Sequence, residues 1–129
     1  MKEKQQLPKP TEVELELLQV LWEKGGATVR EIFEVVSQHR SLGYTSVLKM
    51  LQIMTEKGLV ERTEAGKAHI YRAAASQEET QSQILRDLSE RLFAGSAAQL
   101  AMHALSMQPA SAEELEEIRR IIRQKKEKQ

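Results

Sequence analysis

The chain has 129 residues, no cysteine, and 19 Lys+Arg against 19 Asp+Glu. That length bounds it to one domain or one domain with a small appendage, and the absence of cysteine excludes disulfides, thiol catalysis and cysteine-ligated metal. No apolar run approaches the roughly 18 residues of a membrane helix and no apolar stretch follows Met1-Lys2-Glu3-Lys4, so a cytoplasmic protein without a signal peptide is expected.

Helix starts are marked by a Ser or Thr whose third following residue is Glu or Gln, a spacing that satisfies two orphan backbone N–H groups reciprocally. It occurs at Thr11/Glu14, Thr28/Glu31, Ser76/Glu79, Ser96/Gln99 and Ser111/Glu114. The first helix, over residues 11–23, aligns Val13, Leu17, Val20 and Leu21, widened by Leu18 and Trp22, and ends at Gly25-Gly26. The second, over 28–38, aligns Val29, Ile32, Phe33 and Val36. A third is expected over 44–57, with Val47, Met50, Leu51 and Met54 on one stripe and Gly58 as its left-handed stop. Three single-striped helices of this kind pack on one another.

The period then changes. Residues 59–63 and 68–72 are strand-like runs on either side of Glu64-Ala65-Gly66-Lys67, which reads as a hairpin with a four-residue connection. Three helices followed by a hairpin is the order of a winged helix-turn-helix. Helical character returns at 76–93 with Ile84, Leu85, Leu88 and Leu92, at 96–107 with Leu100 and Leu105, and at 111–126 with Leu115, Ile118, Ile121 and Ile122. About 50 residues in three helices bury little apolar surface alone, because domains below roughly 60 residues are marginal. These stripes call for a partner, most economically a second copy of the chain. The expected architecture is therefore mainly α, with a winged helix-turn-helix domain at 7–75 and a three-helix dimerisation domain at 76–129. Only residues 1–6 and 125–129 read as disordered.

Zero net charge conceals an uneven distribution: about +2 over residues 1–10, −3 over 11–40, +2 over 41–75 and −1 over 76–129. The basic excess coincides with the third helix and the hairpin. Opposite the apolar stripe of that helix lie Thr45, Lys49, Gln52 and Glu56, with Ser46, Leu48 and Ile53 on the flanks. In a helix-turn-helix the start of this helix meets base edges in the major groove. Thr45 and Ser46 can bond bases or phosphates, Lys49 a guanine or a phosphate, Gln52 an adenine edge, and Leu48 a thymine methyl. Tyr44 is suited to a phosphate or sugar. Arg62, Lys67 and Arg72 flank or tip the hairpin, where positive charge can meet the DNA backbone. The alternative is a winged helix that docks to another protein, consistent with the neutral net charge.

Several segments together resemble the penicillinase-repressor family, BlaI/MecI/CopY: Thr11-Glu12-Val13-Glu14-Leu15-Glu16-Leu17-Leu18 through Leu21-Trp22, Ala27-Thr28-Val29-Arg30-Glu31, Gly43-Tyr44-Thr45-Ser46-Val47-Leu48-Lys49-Met50-Leu51, Glu56-Lys57-Gly58-Leu59-Val60 and Tyr71-Arg72. Phe93-Ala94-Gly95-Ser96 and Ser111-Ala112-Glu113-Glu114-Leu115-Glu116-Glu117-Ile118 resemble its dimerisation region. The resemblance spans residues 7–124. It implies a homodimeric repressor on a double-stranded, inverted-repeat operator, often of TACA/TGTA type, with the C-terminal helices of two subunits intertwined. Tyr44, Thr45, Ser46 and Lys49 then fall where the family reads the major groove, and Arg62 and Lys67 where it grips the backbone. Leu85, Leu88, Leu92, Phe93, Leu100, Leu105, Leu115, Ile118 and Ile122 fall in the dimer interface.

Two departures bear on regulation. The copper-responsive branch senses metal through a C-terminal cysteine cluster, which a cysteine-free chain cannot form. The antibiotic-responsive branch is inactivated by cleavage at an Asn-Phe bond, and the corresponding pair here is His103-Ala104; a membrane sensor protease encoded nearby is the further partner implied. His39, His69 and His103 share no metal-ligand spacing, and no phosphate loop or nucleophile motif is present. No enzymatic activity, cofactor or metal is expected.

Overall fold

The computed structural model describes residues 8–129. Its elements run α1 (Glu12–Lys24), α2 (Val29–Val36), α3 (Tyr44–Lys57), β1 (Val60–Ala65), β2 (Ala68–Ala73), α4 (Gln77–Leu92), α5 (Ala97–Met107) and α6 (Ala112–Lys128). This is the winged-helix order, three helices and an antiparallel hairpin, followed by three further helices. The expected disordered N-terminus at residues 1–6, and residue 7 of the expected first domain, lie outside the described residues.

Local sequence sets the helix ends. Thr11 Oγ1 accepts the Glu14 N–H at 3.2 Å while the Thr11 N–H donates to Glu14 Oε1 at 2.9 Å. The same exchange closes Thr28/Glu31, Ser76/Glu79 and Ser111/Glu114. At Ser96 only half of it forms, the Gln99 N–H donating to Ser96 Oγ at 3.1 Å. Gly25 and Gly58 stop α1 and α3 with φ of 72° and 84°, values that disfavour a residue with a Cβ. Helix α2 ends at Val36, two residues short of the expected end, because Ser37, Gln38 and His39 turn the chain toward α3.

The contacts divide the chain into two compact units, with the division inside α4 after Ile84. In the first unit, helical spacing collects Leu17, Leu18, Val20 and Leu21 from α1, Val29, Ile32 and Val36 from α2, and Val47, Leu51 and Met54 from α3 into one core. Burying each such side chain contributes roughly 1.5–3 kcal/mol. The hairpin closes the core with Val60 and with Tyr71, the largest fully buried side chain. The Tyr71 backbone also exchanges hydrogen bonds with Ala27, at 3.0 and 2.8 Å, so a single residue of the α1–α2 turn extends the sheet. Arg40, after α2, clamps back onto α1 through Nε, 2.9 Å from both carboxylate oxygens of Glu16. The Trp22 indole N–H donates to the Ala75 carbonyl at 3.0 Å, fixing the exit of the hairpin.

The hairpin departs from its expected outline. Glu64 and Ala65 belong to β1, paired with His69 and Ala68, so the connection is two residues, Gly66-Lys67, rather than four. Gly66 adopts φ 65°, which lets a two-residue loop follow the right-handed twist of the strands.

The second unit, residues 85–129, is helical throughout its long elements and almost without a core of its own. No residue of α5 or α6 is buried. Leu85, Leu88 and Leu92 on α4, Leu105 and Met107 on α5, and Leu115, Ile121 and Ile122 on α6 are all exposed. Residues 125–128, expected to be disordered, continue α6. Lys125, Lys126 and Lys128 in its last turn complement the negative end of the helix dipole, which favours the extension.

Candidate nucleic-acid interface

The site begins with the packing of α3. Val47, Leu51 and Met54 are completely buried, and this fixes the rotation of the helix about its axis. The opposite arc, Thr45, Lys49, Gln52 and Glu56, must therefore face solvent, as it does, with Ser46 also exposed. Leu48 is half-buried against the core, leaving only part of its side chain for an outside contact. Gly43, which caps α3, supplies no side-chain acceptor to the first turn.

Tyr44 opens the helix and is held from two sides. The Phe33 ring meets it edge-on, with centroids 5.8 Å apart and planes at 74°. The Arg30 guanidinium lies over its face, 5.8 Å from the centroid, within range for a cation–π contact. Arg30 also stands 3.8 Å from Glu34 on its own helix. Arg30 was not among the residues expected at the site. Its signal is spatial: it lies on α2, fourteen positions from Tyr44, and no periodicity within either helix relates the two.

Strand pairing separates the basic residues of the wing. Directly opposed residues share a face of the sheet, so Arg62 lies on the face of Tyr71, whereas Arg72 lies with Glu61 on the other. Arg72 is drawn back along the sheet. Its Nη1 donates to Thr63 Oγ1 at 3.2 Å, and its Cγ and Nε would stand 3.2 Å from a Cβ built at Gly26. Arg62 and Lys67 remain exposed, Lys67 in the two-residue loop, and neither forms a salt bridge among the described residues. Lys49 is likewise exposed and unpaired there. The first unit thus presents a polar helix face with one cation, Lys49, and a hairpin on which Arg62, Lys67 and Arg72 are all exposed, a surface able to bind a polyanion and to hydrogen-bond base edges.

The residues expected in a dimer interface all lie in the second unit. Phe93, Leu100 and Ile118 are half-buried; Leu85, Leu88, Leu92, Leu105, Leu115 and Ile122 are exposed. His103 and Ala104 lie within α5, and the His103 ring stands 5.9 Å from that of Phe93. His39 is 3.6 Å from Glu16, and His69 opposes Glu64 across the hairpin. Among the described residues, no three His, Asp or Glu side chains gather as a metal site would require, and no helix is long and apolar enough to cross a membrane.

Comparison with known proteins adds an independent line. The family model described as penicillinase repressor matches residues 10–124. The methicillin resistance regulatory protein MecI of Mammaliicoccus sciuri is 20% identical over 112 residues, covering 87% of this chain and 91% of that protein. The transcriptional regulator BlaI of Mycobacterium tuberculosis is 29% identical over 96 residues, covering 74% and 68% respectively. Among solved structures, the DNA-binding domain of the repressor BlaI superposes with a TM-score of 0.52 at 18% identity, covering 59% of this chain and 93% of that one. The monomeric form of Bacillus licheniformis BlaI in complex with the blaP half-operator gives 0.51 at 19% identity, over 57% of this chain and 90% of that one. At these identities the superpositions establish the fold.

Proposed function

The chain belongs to the penicillinase repressor family, and from that premise we propose that it is a homodimeric transcriptional repressor that grips an inverted-repeat operator, one winged helix to each half-site. The family is one of DNA-binding transcriptional repressors rather than enzymes. The observation that carries the proposal is the rotation of α3. A core that buries Val47, Leu51 and Met54 obliges Thr45, Lys49 and Gln52 to face outward, where a major groove can receive them.

Each residue has a role that its chemistry suits. Tyr44, Thr45, Ser46, Lys49 and Gln52 enter the groove, Thr45 and Gln52 reading base edges while Tyr44, Ser46 and Lys49 orient the helix on phosphates and sugars. Arg62 and Lys67 hold the flanking backbone from the wing. Residues 7–75 form the DNA-binding domain and 76–129 the dimerisation domain. The exposed Leu85, Leu88, Leu92, Leu105, Leu115 and Ile122, with Phe93, Leu100 and Ile118, are covered by the same surfaces of a second copy. Two-fold symmetry then fixes the separation of the two recognition helices, so a palindromic site is selected over a single motif. Because His103-Ala104 stands where the antibiotic-responsive branch has its Asn-Phe bond, release by a sensor protease would need one of different bond specificity that recognises this segment of α5.

Enrichment of a random duplex library on the purified full chain tests this reading. The expected product is an inverted repeat whose half-sites are about one or more helical turns apart. Recovery of a single unpaired motif would remove the dimer from the proposal. Recovery of no motif would favour docking to a protein.

A further inference from the structure

We propose that Arg30 is a further DNA-contacting residue, a backbone clamp that α2 contributes beside the recognition helix and that the Tyr44 ring holds in position. The inference rests on the repressor reading above and adds to it a contact from a different helix. Arg30 is the second residue of α2, its side chain is 70% exposed, and its guanidinium lies over the face of the first residue of α3. Phe33, also on α2, braces the same ring edge-on. Phe33, Tyr44 and Arg30 thus form a stack that runs from the partly buried edge of the core to the surface beside the start of α3.

The stack explains why this cation suits a phosphate. A free arginine side chain samples many rotamers, and ordering it on binding costs affinity; a ring beneath it removes part of that cost beforehand. A planar guanidinium resting on an aromatic face keeps its N–H edges available for a bidentate grip on phosphate oxygens. Among the described residues its salt-bridge partner is Glu34, at 3.8 Å with a side chain 62% exposed, a distance too long for a strong pair. Phosphate would therefore replace Glu34 as the partner of Arg30, and Glu34 would oppose binding by repelling the backbone.

The contact is to backbone, so its loss should be felt alike on every sequence. Arg30→Ala is expected to weaken binding of the full chain to both operator and scrambled duplex by about tenfold and to lower the salt slope by about one. Arg30→Lys should keep the slope and recover only part of the affinity, since an ammonium neither stacks nor forks as a guanidinium does. Glu34→Gln should tighten binding to both duplexes by about twofold to threefold. The role assigned to the ring is tested by coupling: the Arg30→Ala effect should persist in a Tyr44→Phe background and shrink in a Tyr44→Leu background. Unchanged affinity and slope for Arg30→Ala, with the parent chain binding normally, would overturn this inference alone. A loss confined to the operator would also overturn it, by making Arg30 a base reader. A parent chain that binds no duplex in a salt-dependent way would overturn the repressor reading and this inference together.

Discussion

Glu14, near the start of α1, and Lys57, the last residue of α3, form an ion pair in which Lys57 Nζ stands 2.9 and 2.8 Å from the two carboxylate oxygens. Glu14 is only 5% exposed, yet it carries two duties, since Oε1 also accepts the Thr11 N–H that opens α1. The pair joins the first helix of the core to the end of the recognition helix. Whatever weakens it loosens the element on which the proposed readout depends.

Burial pushes the Glu14 carboxyl up, but the Lys57 hydrogen bond, the Thr11 N–H and the Lys57 charge together hold it below the ordinary glutamate value. A folded value below the unfolded one contributes stability that is fully present above about 4.5 and is lost as pH falls through the folded value. Thermal or urea unfolding between pH 6 and pH 3 should therefore show an acid-sensitive component that Glu14→Gln removes. Glu14→Ala, which also leaves the Thr11 N–H without its partner, should cost about 1–3 kcal/mol.

Trp22, the only tryptophan in the chain, provides a second stability test. Trp22→Phe keeps most of the apolar ring and removes the donor to the Ala75 carbonyl, with an expected loss of about 1 kcal/mol. Circular dichroism during urea unfolding measures the difference. No loss would mean that solvent replaces the hydrogen bond at no cost.

The second unit exposes apolar side chains that water disfavours, and Leu88 lies on the α4 stripe between Leu85 and Leu92. Leu88→Asp would bring a charge into the proposed dimer interface. Sedimentation equilibrium should show dimers for the parent chain and monomers for the variant at micromolar concentration, with operator affinity reduced at least about a hundredfold. A dimer of normal affinity would move the interface elsewhere.

Lys67 and Thr45 separate grip from reading. Lys67→Ala should weaken binding to all duplexes and lower the salt slope by about one, whereas Thr45→Ala should relax base preference and leave that slope unchanged. Anisotropy titrations on operator and scrambled duplex at several salt concentrations distinguish the two. Parallel losses for both variants on both duplexes would contradict the division of roles.

Much of this was legible locally. Four reciprocal caps stand where Ser or Thr is followed by Glu at the third position, and the half-formed one is at Ser96, where the residue is Gln99. The α3 stripe predicted its exposed arc because helical spacing alone decides which side chains oppose Val47, Leu51 and Met54. The remainder depended on contacts distant in sequence. The bond exchange between Ala27 and Tyr71 involves one residue of a turn, too short to leave a period. Arg72 reads as a wing cation from its place in the hairpin, but its position beside Gly26 and Thr63 shows only in the fold. Glu64 and Ala65 read as loop because they fall in a Gly-containing gap between two strand-like runs, yet the two residues Gly66-Lys67 are enough to reverse the chain.

Sequence-specific binding of duplex DNA can be read from the fluorescence anisotropy of labelled duplex titrated with the full chain. Duplex spanning its own upstream region should be compared with scrambled duplex across a series of salt concentrations. A dimeric repressor should bind with steep salt dependence, at least about a thousandfold selectively for one duplex, with two chains bound per operator. Weak binding that is equal on both duplexes and insensitive to salt would contradict it.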